Sequence, residues 1–187
     1  TKIKLDEMDE LKAAEYLLSL RKNNEHYFSP SFDTISAIGS NSALPHYKVN
    51  KESNLSFKNN SIYLIDSGAQ YADGTTDITR TIIFGTPTDE QKDRFTRVLK
   101  GHISIAQATF GVNTKGSQLD PLARESLKEI NCDYDHGTGH GIGSFLSVHE
   151  GPQRISKNHS QSEGFIKVGM ILSNEPGYYK EGEYGIR

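Results

Sequence analysis

Three carboxylates and a group of imidazoles stand where a folded chain usually avoids them. Asp66 follows the apolar run Tyr63-Leu64-Ile65 and precedes Ser67-Gly68. Asp77 sits between Thr76 and Ile78 in a β-branched stretch, and Glu175 closes Met170-Ile171-Leu172-Ser173-Asn174 ahead of Pro176-Gly177-Tyr178-Tyr179. Burying an unpaired carboxylate is costly, so a strand core accepts one only with a strong partner. His136-Gly-Thr-Gly-His140-Gly-Ile-Gly sets two imidazoles four residues apart among glycines, and His149-Glu150-Gly151-Pro152 adds a third. The glycines oppose a helix and let backbone approach a ligand closely. Asp66, Asp77, His140 and Glu175 form an oxygen-rich set with one imidazole. Such a set suits Mn²⁺, Co²⁺ or Zn²⁺ rather than a thiolate zinc site, and its carboxylates could bridge two ions, as in many hydrolases. The plainer readings are Asp66 as a turn carboxylate, Asp77 paired with Arg80 or another base, Glu175 paired with Lys180, and the glycine run as a structural loop with incidental histidines. His46, in Ala43-Leu44-Pro45-His46-Tyr47, has no motif of its own, and His26, His102 and His159 read as structural or solvated.

The elements that must position these groups can be read coarsely. Leu5, Met8, Leu11, Ala14 and Leu18 recur at helical spacing, which predicts a helix over 4–22. Residues 23–60 are rich in Asn and Ser and read as irregular unless edge strands hide there. A buried strand is expected over 61–71, a turn at Ala72-Asp73-Gly74, and a β-branched return strand over 75–84. A turn centred on Tyr71-Ala72 would set Asp66 opposite Asp77. The turn signal falls slightly later, so a bulge that re-aims one of them is expected. Thr88 and Gln91 have capping-box spacing and open a helix over 88–110, with Phe95, Val98, Leu99, Ile103, Ala106 and Phe110 on one face and Gly111 ending it. Asp120-Pro121 reads as N-cap and first position of another helix, running to about Ile130. Val168 to Tyr179 suggests a strand broken by Pro176-Gly177, and Glu181-Gly182-Glu183 the turn of a closing hairpin. The sum is α+β with antiparallel hairpins.

Composition narrows the class. The 187 residues carry a net charge of −3 and 34% hydrophobic residues, which fits one folded, rather polar domain. A basic nucleic-acid footprint is absent, as is an apolar run long enough to span a bilayer. The single cysteine, Cys132, excludes an internal disulfide framework and fits a reducing, cytoplasmic compartment. Tyr184-Gly185-Ile186-Arg187 reads as a return strand that stops early, so the chain is expected to be a piece of a larger protein.

The order Asp66, then Asp77-Ile-Thr-Arg-Thr, then His136-Gly-Thr-Gly-His140-Gly-Ile-Gly, then Glu175-Pro-Gly-Tyr-Tyr resembles the pita-bread metallopeptidases, and among them the Xaa-Pro aminopeptidases (aminopeptidase P). Asp66-Ser-Gly-Ala-Gln-Tyr, Asp73-Gly-Thr-Thr-Asp77 and Ser144-Phe-Leu-Ser-Val-His149-Glu-Gly-Pro look like the large, three-domain cytosolic branch, where the metal and substrate histidines lie two residues further apart than in compact bacterial enzymes. The resemblance covers nearly the whole chain and implies a pita-bread fold, a curved antiparallel sheet with flanking helices. On it, residues 1–187 are a catalytic domain that lacks the two N-terminal domains and the last strands.

The resemblance also implies roles. Asp66 would chelate one ion, Asp77 bridge two, and His140 and Glu175 bind the second, with manganese the usual metal. Glu175 would shuttle a proton from a metal-bound hydroxide or water at this dinuclear site. His46, His136 and His149 would line the substrate site, with His149 donating to the scissile carbonyl oxygen and His46 also counted among the catalytic groups. Tyr179 and Arg187 would support substrate binding. The reaction would be hydrolysis of the bond between an N-terminal residue and a following proline. Implied partners are peptides with proline second and, as a candidate assembly, a homodimer, with no nucleic acid or membrane. Prolidase action on Xaa-Pro dipeptides and a non-catalytic pita-bread binding module are the competing readings. The family pattern continues Gly-Ile-Arg-Ile-Glu, and that Glu is a fifth, bridging ligand, whereas the sequence stops at Arg187. With one bridging carboxylate fewer between two dications, the 187-residue chain is expected to hold two metals poorly and to have little activity.

Overall fold

The computed structural model describes residues 5–145, 148–158 and 163–187. The expected first helix divides in two. A 3-10 turn, Leu5–Glu7, precedes α1, Glu10–Lys22. Asp9 separates them: its extended backbone and its carboxylate, which accepts from the Lys12 amide at 2.8 Å, make it the N-cap. Glu10 is fully buried without a cationic partner among the described residues and accepts instead from the Ile38 and Leu55 amides, Tyr47 and Asn41. It thereby ties α1 to the loop that carries His46.

Two strands lie in the segment read as irregular: β1, Tyr27–Pro30, and β2, Ile35–Ile38, followed by a 3-10 turn, Gly39–Ala43. Their length of four residues hides them, since each is defined by the neighbour it pairs with. The expected strand over 61–71 is two strands, β3 (Ser61–Ser67) and β4 (Ala69–Tyr71), and the return is β5 (Gly74–Thr75) and β6 (Ile78–Phe84). β2 pairs with β3 and β3 with β6, while β1 pairs with β4 and β4 with β5, all antiparallel. One register runs through both halves, with Gln70 opposite Thr75 and Asp66 opposite Thr79. The turn is therefore Ala72-Asp73, no bulge intervenes between the hairpin strands, and the two aspartates are offset rather than opposed. The hairpin breaks at Gly68 because other chain crosses there: a Cβ on Gly68 would lie 1.9 Å from the Thr76 carbonyl oxygen and 2.3 Å from Ser31 Oγ. Asp77 stands in this break, outside the ladder.

Helix α2, Asp89–Ala106, opens with the expected Thr88–Gln91 capping box and closes at Gln107, ahead of Gly111. Val98 is buried, but Phe95, Leu99, Ile103 and Phe110 are 41–45% exposed, so the expected core stripe is covered only in part. Helix α3, Gly116–Lys128, starts four residues before the expected Asp120 and holds Pro121 inside it. Lys115 is the position before its first turn, its amide closed by Gln118 at 2.8 Å. Asp120 is not a cap. Its carboxylate is buried against Arg124 Nε at 2.6 Å and accepts from Thr138 Oγ1 at 2.7 Å. Arg124, itself fully buried, also binds Asp133 and the carbonyl of His136 at 3.0 Å and lies over the Tyr134 ring. This one guanidinium fixes the path of residues 133–138 into the glycine run.

Beyond it, β7 (Gly139–Gly141) pairs with β8 (Glu150–Ile155). The expected strand over 168–179 is a connection stitched to β7: Ser173 N donates to the His140 carbonyl and Glu175 N to the Thr138 carbonyl, both at 2.8 Å. Only Tyr178–Lys180, β9, is a strand there, and it forms the expected hairpin with β10, Tyr184–Ile186. Ile62, Val98, Leu127, Tyr134, Tyr178, Tyr184 and Ile186 make the core between helices and sheet. Among the described residues no helix is long and apolar enough to cross a membrane.

Gly68→Ala should force Thr76 and Ser31 aside and cost about 1–3 kcal/mol, the range for overpacking a filled site. Chemical denaturation measures this, and unchanged stability would contradict the close approach.

Candidate metal centre

The break at Gly68, the start of β7 and the connection before β9 open onto one cavity of about 440 Å³. Asp66, Asp77, His46, His136, His140, His149, Glu175 and Arg187 line it. At its centre, His140 Nε2 lies 3.3 Å from Asp77 Oδ2 and 3.1 Å from Glu175 Oε1. One ligand atom from each of the three falls within 4.8 Å of the others. His140 Nδ1 contacts the Gly141 carbonyl at 2.9 Å. That bond takes the Nδ1 proton and aims Nε2 at the carboxylates, the arrangement of a metal-binding histidine oriented by a backbone carbonyl. Ser173 Oγ donates to Glu175 Oε1 at 2.7 Å and accepts from the His140 amide at 3.0 Å, so one hydroxyl holds two of the three.

Asp66 lines the same cavity but stands outside this trio. Arg187 Nη2 binds its Oδ2 at 2.7 Å, and its Oδ1 is buried with no hydrogen-bond partner among the described residues. Arg187 Nη1 donates to Tyr179 OH at 2.9 Å, and Tyr179 OH contacts His136 Nε2 at 2.8 Å. His136 Nδ1 meets the Gly137 carbonyl at 2.8 Å. The donors line up in one direction: guanidinium to phenol, phenol to His136 Nε2, and Nδ1–H to carbonyl. The His149 ring sits 4.2 Å from that of His140, edge to face.

Charge explains the protonation pattern. Burial pushes the His140 pKa down, but hydrogen bonds to Asp77 and Glu175 overcome it and lift it to about 10. Burial alone would raise Glu175, yet its bonds to His140 and Ser173 hold it below the usual carboxylate range. Asp66 is raised by burial, which Arg187 only partly offsets. His136 is lowered by burial, and His149 by burial and the neighbouring charge of His140. A crowded acidic cavity in which a protonated imidazole stands between two carboxylates, with an unpartnered carboxylate oxygen nearby, fits a divalent cation: hard oxygen donors, one imidazole nitrogen and no thiolate.

Asp77 does not pair with Arg80 nor Glu175 with Lys180, and the base that Asp77 meets is His140. Arg80 binds the Thr79 carbonyl, and Lys180 pairs with Glu90 and Glu183. Sequence reasoning missed Ser173, whose i, i+2 spacing from Glu175 was a usable signal had the segment been read as extended. His102, read as structural, is so: its Nδ1 meets the Asn174 carbonyl and its own carbonyl accepts from Asn174 Nδ2, both at 2.9 Å. That pair fastens α2 to the segment bearing Glu175. His26 lies beside Glu25 on the surface, and His159, with Leu146 and Ser147 of the motif before His149, lies outside the described residues.

A model of metallopeptidase family M24 matches residues 1–187. A Fusarium vanettenii protein named "Probable Xaa-Pro aminopeptidase P" is 51% identical over 180 residues, 96% of this chain and 29% of that protein. A Sclerotinia sclerotiorum protein of the same name is 50% identical over 181 residues, 97% of this chain and 30% of that protein. X-prolyl aminopeptidase from Caenorhabditis elegans, described as a cytosolic enzyme with a di-nuclear active site, superimposes with a TM-score of 0.90 at 44% identity, covering 95% of this chain and 29% of that one. Prolidase from Pyrococcus furiosus gives 0.83 at 34% identity, covering 95% of this chain and 50% of that one. The chain thus spans less than a third of the length of the curated relatives it matches.

In the metal-free protein the folded state holds the His140 proton up to about pH 10, whereas an unfolded chain releases it near 6.5. The raised value makes this contribution whole below pH 6.5 and progressively lost as pH climbs through 10. Denaturant unfolding in EDTA should therefore show stability falling across that window, and His140→Gln should remove this component. An identical pH profile in the variant would contradict the pairing.

Proposed function

Because this chain belongs to metallopeptidase family M24 and has its pita-bread fold, we propose that it forms the catalytic part of a metal-dependent aminopeptidase cleaving between an N-terminal residue and a following proline. The observation that carries this reading is the convergence of Asp77, His140 and Glu175 on one point of a peptide-sized cavity. Asp66, Asp77, His140 and Glu175 would hold two divalent cations, manganese among the candidates. When bound, the ions supply a nucleophile near neutral pH and polarise the scissile carbonyl.

The chain's own groups do the rest. Glu175 is kept ionised by His140 and Ser173, so it can accept a proton and return it to the departing nitrogen. His149, neutral and on the cavity wall, donates to the carbonyl oxygen as charge builds there. Arg187 and Tyr179 lock His136 in its neutral, Nδ1-protonated form, which gives the wall a fixed, uncharged imidazole face against which a proline ring can pack. His46 lines the same cavity, next to Pro45, whose carbonyl accepts from Arg187. The higher identity to Xaa-Pro aminopeptidases than to the archaeal prolidase favours the first over the second. The lone thiol Cys132 and the description of the C. elegans relative as cytosolic support a cytosolic setting as part of this reading.

The test is cleavage of Ala-Pro-Ala and Ala-Pro by the Mn²⁺-loaded full-length protein that contains this chain, with and without EDTA. Cleavage of the tripeptide that EDTA abolishes and that His140→Ala lowers more than about 100-fold, beyond the ~10–100-fold typical of outer partners, is the expected result. Cleavage of the dipeptide alone would mean a prolidase. Undiminished tripeptide hydrolysis by the variant would contradict the reading.

A further inference from the structure

The cavity has a second charged wall. β8 sets Arg154 directly across from His140 in the antiparallel ladder. Opposed residues on such a pair project to the same face, and Arg154 lines the same cavity, as does Ser156 two residues on. The other cations on this cavity are compensated: Lys48 pairs with Asp33 at 3.0 Å and Arg187 with Asp66 at 2.7 Å. Arg154 forms no ion pair among the described residues, and its guanidinium is spent only on the Asn158 carbonyl, 2.8 Å from Nη2. A planar guanidinium without a counter-charge among the described residues, half-buried in a cavity wall, is a receptor for a carboxylate, which matches its forked donors.

A peptide brings opposite charges to such a cavity. With the scissile carbonyl placed at Asp77, His140 and Glu175, the carboxyl end of a short peptide necessarily lies on the leaving side, and Arg154 stands beside His140 on the same cavity wall to meet it. We propose that Arg154 is a specificity residue that binds a carboxylate on the leaving part of the peptide, which makes short or acidic Xaa-Pro peptides the substrate class. This rests on the peptidase reading above. The carboxylate can be the chain terminus or an acidic side chain after the proline, and the two are separable.

The Mn²⁺-loaded full-length protein that contains this chain is assayed on two pairs, Ala-Pro-Ala against Ala-Pro-Ala-amide and Ala-Pro-Glu-amide against Ala-Pro-Gln-amide. The acid of at least one pair should be favoured about tenfold in kcat/KM, carried by KM, as for one charge-assisted pair at a half-exposed site. The first pair reports a terminal carboxylate and the second a side chain. Arg154→Gln should bring the favoured ratio close to one, and Arg154→Lys should keep part of it. Cleavage with no preference in either pair, or a ratio that survives in Arg154→Gln, overturns the assignment while leaving the peptidase reading intact. Failure of the wild-type protein to cleave any of the four overturns both.

Discussion

Asp66, Asp77 and Glu175 share one cavity, and three carboxylates can coexist there only with positive charge among them. That requirement organises the centre of the molecule. His140 answers it for Asp77 and Glu175, and Arg187 answers it for Asp66. Neither answer is complete, since a buried oxygen of Asp66 remains unpartnered and Arg187 Nε lies 3.9 Å from Glu175. A cation supplied from solution would take over the role of the His140 proton.

Holding like charges together demands a stiff frame, and the fold supplies it with hydrogen bonds rather than with apolar packing alone. Arg124 and Asp120, both buried, secure the backbone on either side of His136 and reach Thr138, whose carbonyl receives the Glu175 amide. His140 and Ser173 are sewn together twice over. Gly68 lets β1 and the Thr76 backbone meet at the point where the hairpin parts, which leaves Asp77 outside the ladder and facing the cavity. The same frame fixes β8, so the charge on Arg154 is held on the wall that carries His140.

What could be read in the sequence was local or chemically anomalous. The Thr88–Gln91 capping box and the turn at Glu181-Gly182-Glu183 are decided within a few residues, and the structure has both. Asp66, Asp77, His140 and Glu175 stood out because each is polar in an apolar or glycine-rich context, and all four reach the cavity. What failed depended on distant partners. Strands β1 and β2 are only four residues each, too short to show a period, and β4 and β3 define them. Asp120-Pro121 has the form of a helix start, but Asp120 is taken by Arg124 and Thr138, and the helix begins at Gly116. The pairing of Asp66 with Arg187 spans 121 residues, beyond any pattern of spacing. The partner that makes His102 structural, Asn174, lies 72 residues away.

The most direct measurement is the anomalous scattering of manganese in crystals grown with Mn²⁺. The expected result is a peak enclosed by Asp77, His140 and Glu175, with the His140 proton displaced. Manganese bound elsewhere, or no peak at this point at saturating metal, would contradict a cation-centred cavity.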